Sequence, residues 1–129
     1  MFDKIDTLNF HNKNIQFYVS NKTTTARVKK IWKKEPITIE WMNGIKKDEI
    51  VIDIGANIGT FCIPPIKDGI INKCIAIEPV HKINKILNTN IILNEIEKKI
   101  DTFNYVISDN IKENLTLSFN KNNYGDNKF

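Results

Sequence analysis

The stretch from Glu49 to Phe61, E-I-V-I-D-I-G-A-N-I-G-T-F, limits what this chain can fold into more than any other. Its first half is a run of β-branched apolar residues, which suits a strand buried on both faces of a parallel sheet. It then breaks into a loop with glycines at 55 and 59. Without a Cβ, Gly55 can take a tight turn off the strand, and Gly59 lets the backbone approach a ligand or the next helix. A strand that feeds a glycine loop and then a helix is how open α/β folds build nucleotide sites.

The spacing decides which kind of site to expect. A dinucleotide fingerprint, G-x-G-x-x-G, would need glycines at 55, 57 and 60, but the chain carries Gly55, Asn57 and Thr60. That counts against a nicotinamide-dependent oxidoreductase. What the chain has is an acidic residue near the strand tip followed by G-x-N-x-G, running from Asp53 to Gly59. This form resembles motif I of class I S-adenosylmethionine-dependent methyltransferases, and D-I-G-A-N-I-G-T-F is similar to the FkbM family in particular. The resemblance implies S-adenosylmethionine as cofactor, with Asp53, Gly55, Ala56, Asn57, Gly59 and Thr60 at its amino acid end. The chemistry agrees, because an ammonium and a sulfonium favour nearby carboxylate and carbonyl oxygens.

Cys74 to Glu78 reads as a second parallel strand with the Glu78 carboxylate at its tip. That acid lies 23 residues beyond Gly55, close to the ~20 expected when an acidic side chain accepts from both hydroxyls of a ribose. A-I-E-P, ending in Glu78-Pro79, again resembles the family, which assigns this pair to the cofactor. A helix from about His81 to Leu93 follows, and its Asn90 and Asn94 fit the family's L-x-x-N-x-x-L-N pattern as capping and packing residues. Phe103 to Ile107 reads as the third strand. Ser108-Asp109 falls at its tip, and the resemblance makes Asp109 a candidate for the adenine amino group. Leu115, Leu117 and Phe119 alternate as a further strand, and N-N-Y-G-D-N near the end resembles a family turn.

Ahead of the central strand, residues 7 to 19 look like a hairpin turning at His11 to Asn14, with His11 a surface residue. A helix from about Thr24 to Lys34 presents Val28, Ile31 and Trp32 as one apolar stripe. Glu35-Pro36 stops it. From Pro36 to Asn43 the periodicity fits strand or helix, and the similarity of E-P-x-T-x-E-W to the family favours helix. Pro64-Pro65 falls where the first crossover helix belongs, so that helix should be short, kinked or late in starting, and should end before Gly69.

At 129 residues the chain is at most one domain, small for a complete doubly wound sheet. It divides into an N-terminal hairpin and helical extension, 1–47, and a partial cofactor-binding domain, 48–129. The net charge of +4 comes from eighteen lysines against one arginine in a chain rich in Ile and Asn. The bias reads as coding composition rather than a phosphate track, so no nucleic acid partner is expected. Cys62 and Cys74 read as reduced, buried thiols of a cytoplasmic protein. No run approaches the ~20 apolar residues of a membrane span, and no metal is expected.

The resemblance thus implies an α/β, Rossmann-like class I methyltransferase sheet truncated after its first βαβαβ half, with strand order 3-2-1. It covers about two-thirds of the family's domain, and nothing in the chain matches the family's later K-I-D-x-E-G-like strand. The activity implied is O-methylation of a sugar or other small metabolite. The alternative is a non-catalytic or partner-dependent fragment that keeps the cofactor half. In either case the central strand is left at an open, apolar edge, through which self-association is expected.

Overall fold

Parallel neighbours require a crossover between them, and the order of elements follows that need. The computed structural model describes residues 4–109 together with Thr116 and Ser118. In it the chain runs β1 (Lys4–Phe10), β2 (Lys13–Val19), α1 (Lys22–Lys34), α2 (Pro36–Asn43), β3 (Ile50–Ile54), α3 (Ile63–Asp68), β4 (Lys73–Ile77), α4 (His81–Leu93) and β5 (Ile100–Phe103). β1 and β2 form an antiparallel hairpin, and β3-β4-β5 form a parallel sheet in that order. The motif-bearing strand β3 lies at one edge, as the half-sheet reading requires. The expected strand and turn at residues 115, 117 and 119–129 lie outside the described residues.

Period-two alternation assigns the two faces of the sheet. Val51, Cys74, Ala76 and Ile100 are buried in one cluster with Ile63 and Ile66 of α3, Leu87 and Ile91 of α4, and Ile15, Phe17 and Val19 of β2. The extension and the half-sheet therefore share one core. On the opposite face Ile50, Ile52 and Ile54 are 58%, 58% and 64% exposed. Among the described residues, no helix is long and apolar enough to cross a membrane.

The N-terminal elements begin earlier than sequence periodicity indicates. β1 starts at Lys4 and the turn shrinks to His11-Asn12, with Phe10 facing Lys13 and His11 at φ 42°. α1 starts at Lys22 because Asn21 caps it: its side chain accepts from the Thr24 N–H at 2.9 Å, while Thr24 Oγ1 accepts from the Asn21 N–H at 3.2 Å. His11 is more than a surface turn residue, since its Nδ1 lies 2.7 Å from Asp68 Oδ2 at the end of α3.

Residues 36–43 are helical, with Pro36 in the first turn. The two prolines of α3 also fall in a first turn, where the missing N–H groups have no intrahelical acceptor. The helix starts late and ends at Gly69, φ 82°, as expected.

The third strand is a correction. It occupies Ile100–Phe103, not Phe103–Ile107, with Ile100 beside Cys74 and Phe103 beside Ile77. Phe103, Tyr105 and Ile107 do alternate, but they are 42%, 66% and 56% exposed. Pairing ends at Asn104, whose Nδ2 donates to the carbonyls of Glu78 and Pro79, both at 2.8 Å. Alternation alone cannot distinguish a paired strand from extended chain beyond its last partner.

Alternate residues of β2 turn their backbone groups away from β1, and α4 satisfies them with side chains. Asn94 accepts from the Gln16 N–H at 3.0 Å and donates to the Gln16 carbonyl at 2.7 Å. Asn90 accepts from the Tyr18 N–H at 2.6 Å.

Gly59 is where loop and helices close on each other: at φ 92°, a Cβ there would collide with the Ile63 side chain and lie 2.9 Å from Leu87 Cδ1. Gly55, at φ 82°, has open space where a Cβ would go. Gly59→Ala should therefore cost about 2–4 kcal/mol, from overpacking and backbone strain together. Gly55→Ala should cost only the backbone share, about 1–2 kcal/mol. Urea denaturation of the two variants checks the ranking, and equal losses would contradict it.

Candidate functional site

β3 and β4 end side by side, Ile54 opposite Ile77, so the segments that follow them meet at one end of the sheet. The loop after β3 folds back over the tip of β4, because the N–H groups of Gly55 and Ala56 both donate to the Ile77 carbonyl, at 2.8 and 3.0 Å. The path needs left-handed backbone at Gly55, Asn57 and Gly59, with φ of 82°, 52° and 92°. Asparagine is the side-chain-bearing residue that tolerates this conformation best. The Gly59 carbonyl then accepts from the Ile63 N–H at 3.0 Å and starts α3.

Glu78 follows β4 directly and is buried, with 4% exposure. Its Oε2 accepts from the Asn57 N–H and its Oε1 from the Val80 N–H, both at 2.9 Å. Burial raises its pKa above the usual carboxylate value, while those two N–H groups and the positive charge of Arg27 on α1 oppose the rise. The strand-tip acid found from spacing is thus fastened across the glycine loop.

Asp53, one residue before the end of β3, is the second carboxylate. Burial lifts its pKa to about 6, the nearby Cys62 thiol works in the opposite direction, and the charge of Glu78 adds to the rise. Among the described residues its buried Oδ2 has no hydrogen-bond partner. Asp53 lines a cavity of about 180 Å³ with Phe61, Cys62, Val51 and, from α2, Thr38 and Met42. A second cavity, about 140 Å³, opens at the strand tips among Ile54, Gly55, Ile77, Pro79 and the segment from Tyr105 to Ile107.

Asp53, Gly55, Asn57, Glu78 and Pro79 therefore gather around one loop. Ala56 and Thr60 belong to the same loop but are buried, at 4% and 2% exposure. Asp109 does not stand at a strand tip: it is an exposed residue two positions past Ile107, bonded to the Ser108 hydroxyl at 3.5 Å. The tip position belongs to Asn104, which sequence reading passed over because it placed the strand too late. His81 opens α4, exposed, with Nδ1 3.2 Å from Asn104 Oδ1. Arg27 was also missed, since nothing local in α1 shows which strand end that helix passes.

Comparison with known proteins places this arrangement. The sequence model of the Vibrio cholerae RfbT protein family matches residues 33–128. The chain belongs to the RfbT family. No curated protein matches the sequence. Among solved structures, a Pyrococcus horikoshii protein described as a transferase aligns over 80% of this chain with a TM-score of 0.55 and 23% identity. A Methanocaldococcus jannaschii tRNA methyltransferase aligns over 78% with a TM-score of 0.53 and 20% identity. An S-adenosylmethionine-dependent methyltransferase of Agrobacterium tumefaciens aligns over 78% with a TM-score of 0.54 and 10% identity. At these identities the likeness shows the fold: this RfbT-family chain carries part of a Rossmann-like parallel α/β sheet of the form seen in class I methyltransferases. It spans 36%, 28% and 32% of the three structures' own lengths.

A carboxyl that holds its proton to about pH 6 when folded and to about 3.8 otherwise binds more protons in the folded chain. Its ionisation therefore opposes folding, and stability falls as pH rises between those values. At pH 7 the cost is on the order of 3 kcal/mol. Asp53→Asn should raise the melting temperature at pH 7 and flatten the change between about pH 4 and 6. Thermal melts across that range check this, and an unchanged slope would contradict the assignment to Asp53.

Proposed function

We propose that this chain forms the cofactor side of an S-adenosylmethionine-dependent methyltransferase of FkbM type. The acceptor in this reading is a hydroxyl oxygen of a sugar or other small metabolite. The observation that carries it is the pair of carboxylates, half-buried Asp53 and buried Glu78, on adjacent strand ends around a glycine loop that lacks the dinucleotide glycines.

The residues fit the cofactor chemically. Each Glu78 oxygen accepts one backbone N–H, which leaves lone pairs on both for a vicinal diol. The Oδ2 of Asp53, without a hydrogen-bond partner among the described residues, suits an ammonium group. The cavity lined by Ile54, Ile77, Pro79 and Tyr105 is apolar enough for a purine. When bound, the cofactor supplies an electrophilic methyl group on a sulfonium centre. The chain's own work is to bind, orient and exclude water, because methyl transfer depends chiefly on holding nucleophile and methyl in line. Glu78 fixes loop and ribose together, and Asp53 places negative charge beside the amino acid end. The family resemblance supports the acceptor class.

The position of β3 at the end of the sheet, unpaired on its outer side among the described residues, and the exposed Ile50, Ile52 and Ile54 on the face beside it support a further part of this reading, pairing of the chain with itself at β3. Ile52→Lys should shift sedimentation toward monomer, and an unaltered distribution would remove this edge as the contact.

Calorimetric titration with S-adenosylhomocysteine, with NADH as control, tests the cofactor. Binding of the first alone is expected, whereas binding of neither by a folded chain would overturn the reading. Loss of a carboxylate hydrogen-bond acceptor is worth roughly 1.5–3 kcal/mol, so Glu78→Ala should weaken S-adenosylhomocysteine binding about ten- to hundred-fold. Unchanged affinity would mean that Glu78 does not hold the ribose.

A further inference from the structure

The glycine loop is held from two sides, and only one belongs to the site described above. Glu78 fixes the N–H of Asn57 from the strand side. Two peptide units on, the carbonyl of Ile58 points toward the helices and accepts from Asn90 Nδ2 at 2.9 Å. That carbonyl belongs to the peptide joining Ile58 to Gly59, and Gly59 has left-handed backbone. Glycine on one side of that peptide does little to hold its plane, so the bond to its oxygen helps to set it.

The other end of the same amide takes the Tyr18 N–H of β2, 72 positions away in sequence, at 2.6 Å. Asn90 is fully buried, at 0% exposure. A neutral primary amide is the side chain that offers both an acceptor and donors at one carbon, so it can bridge an N–H and a carbonyl without burying charge.

We infer that Asn90 is a positioning residue for the glycine loop, joining the Ile58 carbonyl to β2 so that the N-terminal hairpin sets the loop's binding conformation. This inference rests on the cofactor reading for its ligand, but not for its geometry. Asn94 is the internal comparison. One turn later, as the residue that caps α4, it makes the analogous pair of bonds to Gln16, at 3.0 and 2.7 Å, and its third bond goes to the Asn90 carbonyl at 2.7 Å. It joins hairpin to helix without bonding to the loop.

Asn90→Asp keeps an acceptor for the Tyr18 N–H and replaces the donor to Ile58 with an oxygen. Asn94→Asp makes the matching change away from the loop. The experiment measures S-adenosylhomocysteine affinity by calorimetry, together with hydrogen exchange at the loop amides of Asn57 and Gly59, for both variants and the unaltered chain. Asn90→Asp should weaken binding roughly ten-fold or more and speed exchange at both loop amides. Asn94→Asp should lower the melting temperature while weakening binding far less than Asn90→Asp and leaving loop exchange unchanged. Equal affinities in the two variants, or equal loop exchange, would overturn the role of Asn90.

A chain that binds no S-adenosylhomocysteine even unaltered would defeat the cofactor reading alone, since the exchange comparison still judges Asn90. If Asn90→Asp does not fold, the unaltered protein serves. On adding S-adenosylhomocysteine, exchange at Tyr18 should slow more than at Ile15 and Phe17 of the same strand. Uniform slowing along β2 would count against the coupling.

Discussion

One hydrogen bond organises this end of the molecule: the carboxylate of Glu78 accepting the N–H of Asn57. It joins the tip of β4 to the loop leaving β3, and does so with a group whose burial would be costly without partners. Its second oxygen takes the Val80 N–H, so the carboxylate also fixes the turn into α4. Removing either N–H would leave a buried charge short of a donor, which is why loop and strand tip hold one arrangement.

The same economy recurs in the hairpin. A two-stranded ribbon is marginal on its own, and its outer edge carries N–H and carbonyl groups that need partners. Asn90 and Asn94 supply them from α4, while Phe17, Ile15 and Val19 enter the core shared with the sheet. The extension is thus joined to the half-sheet by both polar and apolar contacts, and α1 brings Arg27 into the electrostatic reach of Glu78.

Much of the fold was legible because its signals are local. The β-branched run ending in Asp53-Ile54-Gly55, the prolines at 64 and 65 and the 3.6-residue pattern of α4 each depend on residues within a few positions of one another. Where the reading failed, the deciding partner was distant. β5 was placed three residues late because Phe103, Tyr105 and Ile107 alternate convincingly, yet pairing with β4 begins at Ile100 and is ended by the side chain of Asn104. Asp109 was carried out of place by the same displacement.

The sequence by itself determined the chemistry of the loop: which strand feeds it, where left-handed backbone is affordable, and that acids stand at 53 and 78. Spacing and residue type are enough for that, because turn geometry and strand polarity are properties of a few consecutive residues. Only the tertiary structure decided that Glu78 closes on the Asn57 N–H, that Asp53 keeps a buried oxygen with no partner among the described residues, and that Asn90 reaches from α4 to both the loop and β2. Desolvation and hydrogen-bond pairing depend on what the rest of the chain brings alongside, and no local pattern records that.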